Sequence, residues 1–450
     1  MLKIILKRYL WIGILLNILL LVTLESKYIL IYIFNILSII AYYLVMYSKI
    51  SKPLSYYQPI RLGLIVFFYS LFFVIAFNVI SYFYNQNYYV FSESDALFYH
   101  KASLKMANEP FFLGLKSFFL YSTFEDLGAV LFISSLYQII ESNLIVNFFY
   151  LLSGVFASLF IFRIGRKFMS RKYAFIAALA YSLSSYVLWF HSSGLKESFM
   201  IFLVVLFYDQ YYEFITRKKM LNIILMSFAL LSILLFRPAI TFLILASVFI
   251  TLVLSRRKSL SIVIVIPFLF ILLFFAYGYI EAIMNKFINP AGVTAMLQNK
   301  QSSGMVKLSI PLTIATNALS AFFGPFPTLI PNSKIVLSFY SVGLIFKVLL
   351  SVTFWIGAYQ AYKRKMYKLL PLIFFVIFES FSLSYILEAL ELRKSLPHFF
   401  AVFIVSFWFL DFVNFKNSLS FKDKRSFTKL VKISSILFLL LILIWNLKVV

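Results

Sequence analysis

The chain contains no cysteine, so disulfides, thiolate nucleophiles and cysteine-based metal sites are excluded. Acidic residues are scarce, with 16 Asp and Glu against 41 Lys and Arg, and charged residues make up only 13% of the 450. No Gly-rich loop closes on Lys-Ser or Lys-Thr, and neither a dinucleotide fingerprint nor His-Glu-x-x-His occurs. Gly-x-Ser-x-Gly is missing too, so nothing indicates a nucleophile elbow. Energy from nucleotide hydrolysis within this chain is not expected.

What is present is overwhelmingly apolar: hydrophobic residues reach 63% and mean hydropathy is +0.95. Soluble domains do not have that balance. The apolar stretches are continuous rather than alternating, which favours helices over a β-barrel. The expected fold is all-α, a polytopic integral membrane protein forming a single transmembrane domain over residues 1–450. Abundant Phe (56) and Tyr (30) suit lipid-facing bulk and interfacial belts. Lys3, Lys7 and Arg8 precede an apolar run with no small-residue cleavage site, which reads as an uncleaved first helix.

A net charge of +25 would suggest nucleic acid in a soluble protein. Here the charge sits in short clusters between apolar runs, with no nucleic-acid motif, so topology and anionic lipid account for it better. Seven clusters punctuate the chain: Lys3/Lys7/Arg8, Lys49/Lys52/Arg61, Arg163–Lys172, Arg217–Lys219, Arg256–Lys258, Lys363–Lys368 and Lys416–Lys432. Lys and Arg in short loops stay cytoplasmic, so the clusters mark one side and put the N-terminus inside. About thirteen transmembrane helices fit between them: 9–24, 28–46, 62–82, 144–162, 173–190, 197–214, 220–236, 239–255, 260–280, 335–359, 369–387, 397–413 and 432–447. Arg237-Pro238 is the expected outer hairpin between two of these, because the residue before a proline resists helix.

Two long outer segments remain, about 83–143 and 281–334. In the first, Ala96–Ala107 reads as a helix lying on the membrane surface with Asp95 as its N-cap. The run 127–140 is apolar but short, and reads as re-entrant or interfacial. In the second, Pro290, Gly292, Gly304, Pro311 and Gly324-Pro325-Phe326-Pro327 break any long helix.

The polar residues left over crowd on the outer side. Glu93, Asp95 and His100 open the first outer loop, where a carboxylate could act as general base or hold a divalent cation. Helix capping by Asp95 is the plainer alternative. Lys196 and Glu197 begin a membrane helix, next to His191; Glu suits that end of the helix dipole and Lys does not. Arg237 between two apolar helices is costly unless it snorkels or pairs, and its planar fork suits a pyrophosphate. Glu388, Arg393, Lys394 and His398 lie at another outer turn, with Arg393 and Lys394 against the positive-inside trend. Glu379, deeper in its span, is a buried-carboxylate candidate.

An acidic motif in an outer loop, many helices and outer basic residues together resemble the membrane glycosyltransferases of the GT-C superfamily. Glu93 and Asp95 match their loop carboxylates. Ser193-Gly194-Leu195-Lys196-Glu197, Arg237-Pro238, Gly324-Pro325-Phe326-Pro327 and Arg393-Lys394-Ser395-Leu396-Pro397 are similar to polymerase-like proteins of bacterial surface-polysaccharide clusters. The resemblance implies sugar transfer from polyprenyl phosphate or pyrophosphate carriers to a glycan acceptor on the outer face of the inner membrane. It implies phosphate-binding roles for Arg237, Lys196, Arg393 and Lys394, and polysaccharide-assembly proteins as partners. Two other classes stay open: a transporter or flippase of lipid-linked oligosaccharide, and a non-catalytic membrane partner in the same pathway.

The absence of cysteine makes the topology directly testable. With single cysteines introduced at positions 110 and 168, a membrane-impermeant thiol reagent applied from outside should label the first and spare the second. The reverse pattern would overturn the whole map.

Overall fold

In hydrocarbon a backbone must satisfy its own polar groups, and a continuous apolar run does so as a helix. The computed structural model describes residues 2–23, 29–85, 95–122, 124–255, 310–329, 336–385, 392–415 and 421–447. Among these, the regular elements are helices and no strand occurs. In chain order they are α1 (Leu2–Thr23), α2 (Ile29–Ile50), α3 (Pro59–Asn85), α4 (Asp95–Asn108), α5 (Phe111–Tyr121), α6 (Leu127–Tyr137), α7 (Asn143–Gly165), α8 (Arg171–Ser182) and α9 (Ser185–Ser192). They continue with α10 (Glu197–Arg217), α11 (Met220–Phe236), α12 (Pro238–Leu254), α13 (Ile310–Phe323), α14 (Val336–Lys363), α15 (Leu370–Tyr385), α16 (Phe399–Phe415) and α17 (Phe421–Leu447).

Among the described residues, seven helices are long and apolar enough to cross a membrane, so the chain reads as a multi-pass helical membrane protein. The expected span 173–190 is not one rod: it breaks between α8 and α9, which meet at a bend of 52°. The expected span 260–280 lies outside the described residues, as does most of 281–334. Run 127–140 yields α6, only 11 residues long. At 1.5 Å per residue that is about 16 Å, too short to cross. Pro311 sits in the first turn of α13, where its missing N–H costs nothing, and Gly324 follows that helix's end.

The most buried spans are α16 and α14, which pack on each other with α8 against α16; α10, buried along nearly all of Glu197–Glu213, packs on α7 and α11. Around the rim, large apolar side chains such as Trp11, Phe68, Phe72 and Phe228 are exposed, which suits lipid as solvent. Between α13, α14 and α15 a groove of about 420 Å³ opens outward, lined by Ala318, Leu319, Phe322, Phe323, Trp355, Ile377 and Phe381.

At one end of the bundle the basic clusters are tied in by acids. Arg163 Nη2 lies 3.3 Å from Asp209 Oδ2, and Lys167 Nζ lies 2.7 Å from Glu213 Oε1. Asp411 of α16 accepts from the Ser170 amide (2.6 Å) and hydroxyl (2.9 Å) at the start of α8. Arg171 Nε donates to the Tyr57 carbonyl at 2.6 Å. Loops around residues 57, 170 and 217 therefore share this basic end, and the α11–α12 turn lies at the opposite one.

Candidate functional site

The opposite end holds a second charged cluster, built from Asp126, Lys196, Glu197 and Arg237. α11 stops at Phe236, Arg237 is extended (φ −164°, ψ 93°), and Pro238 starts α12, the hairpin that the Arg-Pro pair implied. Arg237 Nη2 then lies 3.5 Å from Glu197 Oε1 in the first turn of α10. Glu197 is 1% exposed, and neither of its oxygens has a hydrogen-bond partner, so this is an ion-pair distance without alignment.

Lys196 sits at the N-cap of α10, where the helix dipole repels it. What holds it there is Asp126: Lys196 Nζ donates to Asp126 Oδ1 at 2.6 Å and to the Glu125 carbonyl at 2.9 Å. Tyr99 of α4 donates to the same Oδ1 at 2.7 Å. The ammonium also lies 5.9 Å from the centre of the Tyr99 ring. Burial first, and Arg237 next, pull the Lys196 ammonium below the ordinary lysine range, opposed by Asp126 and Glu197. Burial and the charges of Asp126, Glu197 and Asp95 push the Tyr99 phenol up. Gly194 makes the turn before Lys196 possible: its φ of +70° is a region side chains avoid, and a Cβ there would stand 3.4 Å from Ala96 Cβ.

Lys196 and Arg237, distant in sequence, therefore share one acidic cage. Both hydrogen bonds to Asp126 arrive on Oδ1, while its side chain is 27% exposed. Oδ2 is left as an acceptor with no protein partner among the described residues. Asp95 opens α4, in the helix's first turn, close enough to act on Tyr99. The helix packs through Ala96, Tyr99, Ser103 and Met106, and Ser103 Oγ donates to the Val130 carbonyl of α6 at 3.2 Å. It is thus docked on protein along one face, whereas a helix on the membrane surface was expected.

His100 faces elsewhere, its Nδ1 paired with the Tyr137 hydroxyl at 2.7 Å. Burial pulls its imidazole below the ordinary range, against Glu141. His191 is buried and structural: its Nδ1 donates to Ser198 Oγ at 2.6 Å, and Ser198 in turn donates to the Tyr150 carbonyl at 3.2 Å. The ring packs on Gly154, which has no Cβ to meet it.

Glu93, Glu388 and the side chain of Arg393 lie outside the described residues. Lys394 is half-buried in a 3-10 segment, Leu392–His398, that packs against α10 and α15. His398 points into the bundle, where its Nδ1 lies 3.2 Å from Glu379 Oε2. Among the described residues no group of three or more His, Asp or Glu is placed to hold a metal ion.

Sequence reasoning noticed Lys196 by its wrong end of the dipole but not its partners. Nothing in the pattern singles out Asp126 over Glu125, or Tyr99 over the other 29 tyrosines. No protein-family model matches the chain, and no curated protein matches its sequence.

Removing one member of a buried pair strands the other. Arg237→Met takes the ion-pair partner from buried Glu197 and should cost about 3–5 kcal/mol of stability. Adding Glu197→Gln should restore part of that loss. Thermal unfolding of the two variants in detergent checks this, and equal loss in both would mean the pair is not the reason.

Proposed function

We propose that the chain transfers or polymerises sugars from a polyprenyl phosphate or pyrophosphate carrier onto a glycan acceptor. The site lies on the extracytoplasmic face of the bacterial inner membrane, with the N-terminus cytoplasmic and about thirteen spans. The observation that carries the reading is the cage itself: two cations from distant helix ends beside a carboxylate with one free oxygen. In such a transfer Asp126 Oδ2 accepts the proton of the attacking hydroxyl. The new C–O bond forms as the bond from the sugar to the carrier phosphate breaks, and the phosphate leaves with that electron pair. Arg237 and Lys196 meet the growing negative charge, Arg237 by releasing its loose contact with Glu197.

Asp95 is the neighbouring carboxylate acting on Tyr99 and is the second candidate for the base. Arg393 and Lys394, to which the resemblance gives a phosphate-binding role, belong to the 3-10 segment packed on α10. A divalent cation, if the reaction uses one, would draw on Glu93 and Asp95.

One observation favours the transporter or flippase reading instead. Lys347 and Glu379 are buried inside spans next to a broken helix, an arrangement common where substrates or ions cross. The two readings part on where the precursor accumulates. Loss of a flippase strands the lipid-linked sugar on the inner leaflet, whereas loss of a transferase strands it on the outer one.

Asp126→Asn keeps the size of the side chain and its Oδ1 acceptor but removes the base. Glycan assembly should fall about 10²-fold or more, with normal protein abundance and precursor on the outer leaflet. Asp95→Asn is the paired variant: full loss there and none in Asp126→Asn would move the base to Asp95. Normal glycan in both variants would eliminate the carboxylate role altogether.

A further inference from the structure

A second charged cluster lies away from the cage, inside the bundle. Lys347 of α14, Glu379 of α15 and His398 at the head of α16 are each 1% exposed. Three different helices contribute one ionisable group apiece. His398 Nδ1 is 3.2 Å from Glu379 Oε2, and both Glu379 oxygens and that nitrogen lack hydrogen-bond partners. The charge of Glu379 acts on Lys347. Ionisable side chains at such depth are expensive, and packing alone would be better served by apolar residues.

The surroundings bear on what the cluster can bind. Gly343, one helical turn from Lys347 on the same face of α14, receives the α8–α9 break: Ser184 Oγ donates to its carbonyl at 3.3 Å. A Cβ at Gly343 would stand 2.6 Å from the Tyr186 nitrogen. Tyr181 and Tyr186, on either side of the break, hold the Phe399 ring next to His398 at 5.9 and 5.2 Å. Tyr208 of α10 also senses Glu379, and its hydroxyl lies 3.0 Å from Ser247 Oγ. α12 and α13, which pack on α15 as well, carry no ionisable side chain. The 3-10 segment brings Lys394, half-buried, within one turn of His398.

A metal ion is a poor fit for this cluster, because Lys347 already supplies the positive charge that a lone carboxylate would attract. A larger anion would meet Glu379 in its way. The species that suits a carboxylate and an imidazole nitrogen 3.2 Å apart, neither hydrogen-bonded, is a proton. We propose that Lys347, Glu379 and His398 form a proton-binding site within the membrane domain, beside the broken helix. One proton taken up between Glu379 and His398 raises the charge of the cluster by one, and its release lowers it by one. The proposal does not rest on sugar transfer and holds for either reading of the outer cage.

Dicyclohexylcarbodiimide partitions into bilayers and modifies buried carboxyl groups only in their protonated form, so it reads the site directly. The intact chain in lipid nanodiscs is treated at about pH 5.5 and about pH 8.5, on either side of the ordinary histidine range, and the modified positions are read by mass spectrometry. Glu379 should be modified several-fold more at the lower pH, and its peptide should be unmodified in Glu379→Gln. Lys347→Met removes the cation that Glu379 faces at the lower pH, so modification there should rise above the wild-type level. Should either variant fail to fold, the wild-type comparison alone decides. No modification of Glu379, or equal modification at both pH values in the wild type, would overturn the site.

Discussion

Moving an ion from water into hydrocarbon costs several kcal/mol even after the surroundings relax. A chain this apolar can admit charge to its interior only where an opposite charge waits. Arg163 and Lys167 meet Asp209 and Glu213, Lys196 meets Asp126, and Arg237 meets Glu197. Each pair joins elements far apart in sequence, so the pairs act as registration marks for the helices. Lys196 is the clearest case. Its bond to Asp126 holds the α4–α6 layer against the head of α10, and Arg237 closes the same corner from the α11–α12 turn.

Much of the helical plan was legible in the sequence, because apolar runs between basic clusters have few other ways to fold in a membrane. The Arg237-Pro238 hairpin was legible for a local reason, the restriction proline places on its neighbour. The break at Ser182–Ser185 was not, since that stretch holds neither Pro nor Gly. It coincides with the close approach of Gly343, 159 residues further along, whose carbonyl takes the Ser184 hydroxyl. Lys347 carried a readable signal, a lone charge in mid-span, that a count of apolar residues passes over. Asp126 carried none: a carboxylate in a polar loop shows its importance only when the fold brings a lysine to it.

The two polar centres differ in kind. The cage around Lys196 is partly open, with Asp126 and Arg237 reaching solvent and the cations already matched by carboxylates. The cluster around Glu379 is closed and under-bonded, with acceptors that have no hydrogen-bond partner among the described residues. Large ligands suit the first and only the smallest the second. The break between α8 and α9, a bend of 52°, packs against α14, the helix that carries Lys347.

The groove between α13, α14 and α15 has a practical consequence. Its walls are wholly apolar and it is open on one side. An amphiphile tail that entered it would find apolar contact against Phe322, Trp355 and Phe381. Extraction into detergent would then exchange one occupant for another, and a bulky or branched tail would wedge α13 away from α15. The choice of solubilising agent is in this sense a choice of ligand, and melting temperatures measured in different agents would report the fit of the tail as much as the strength of the fold.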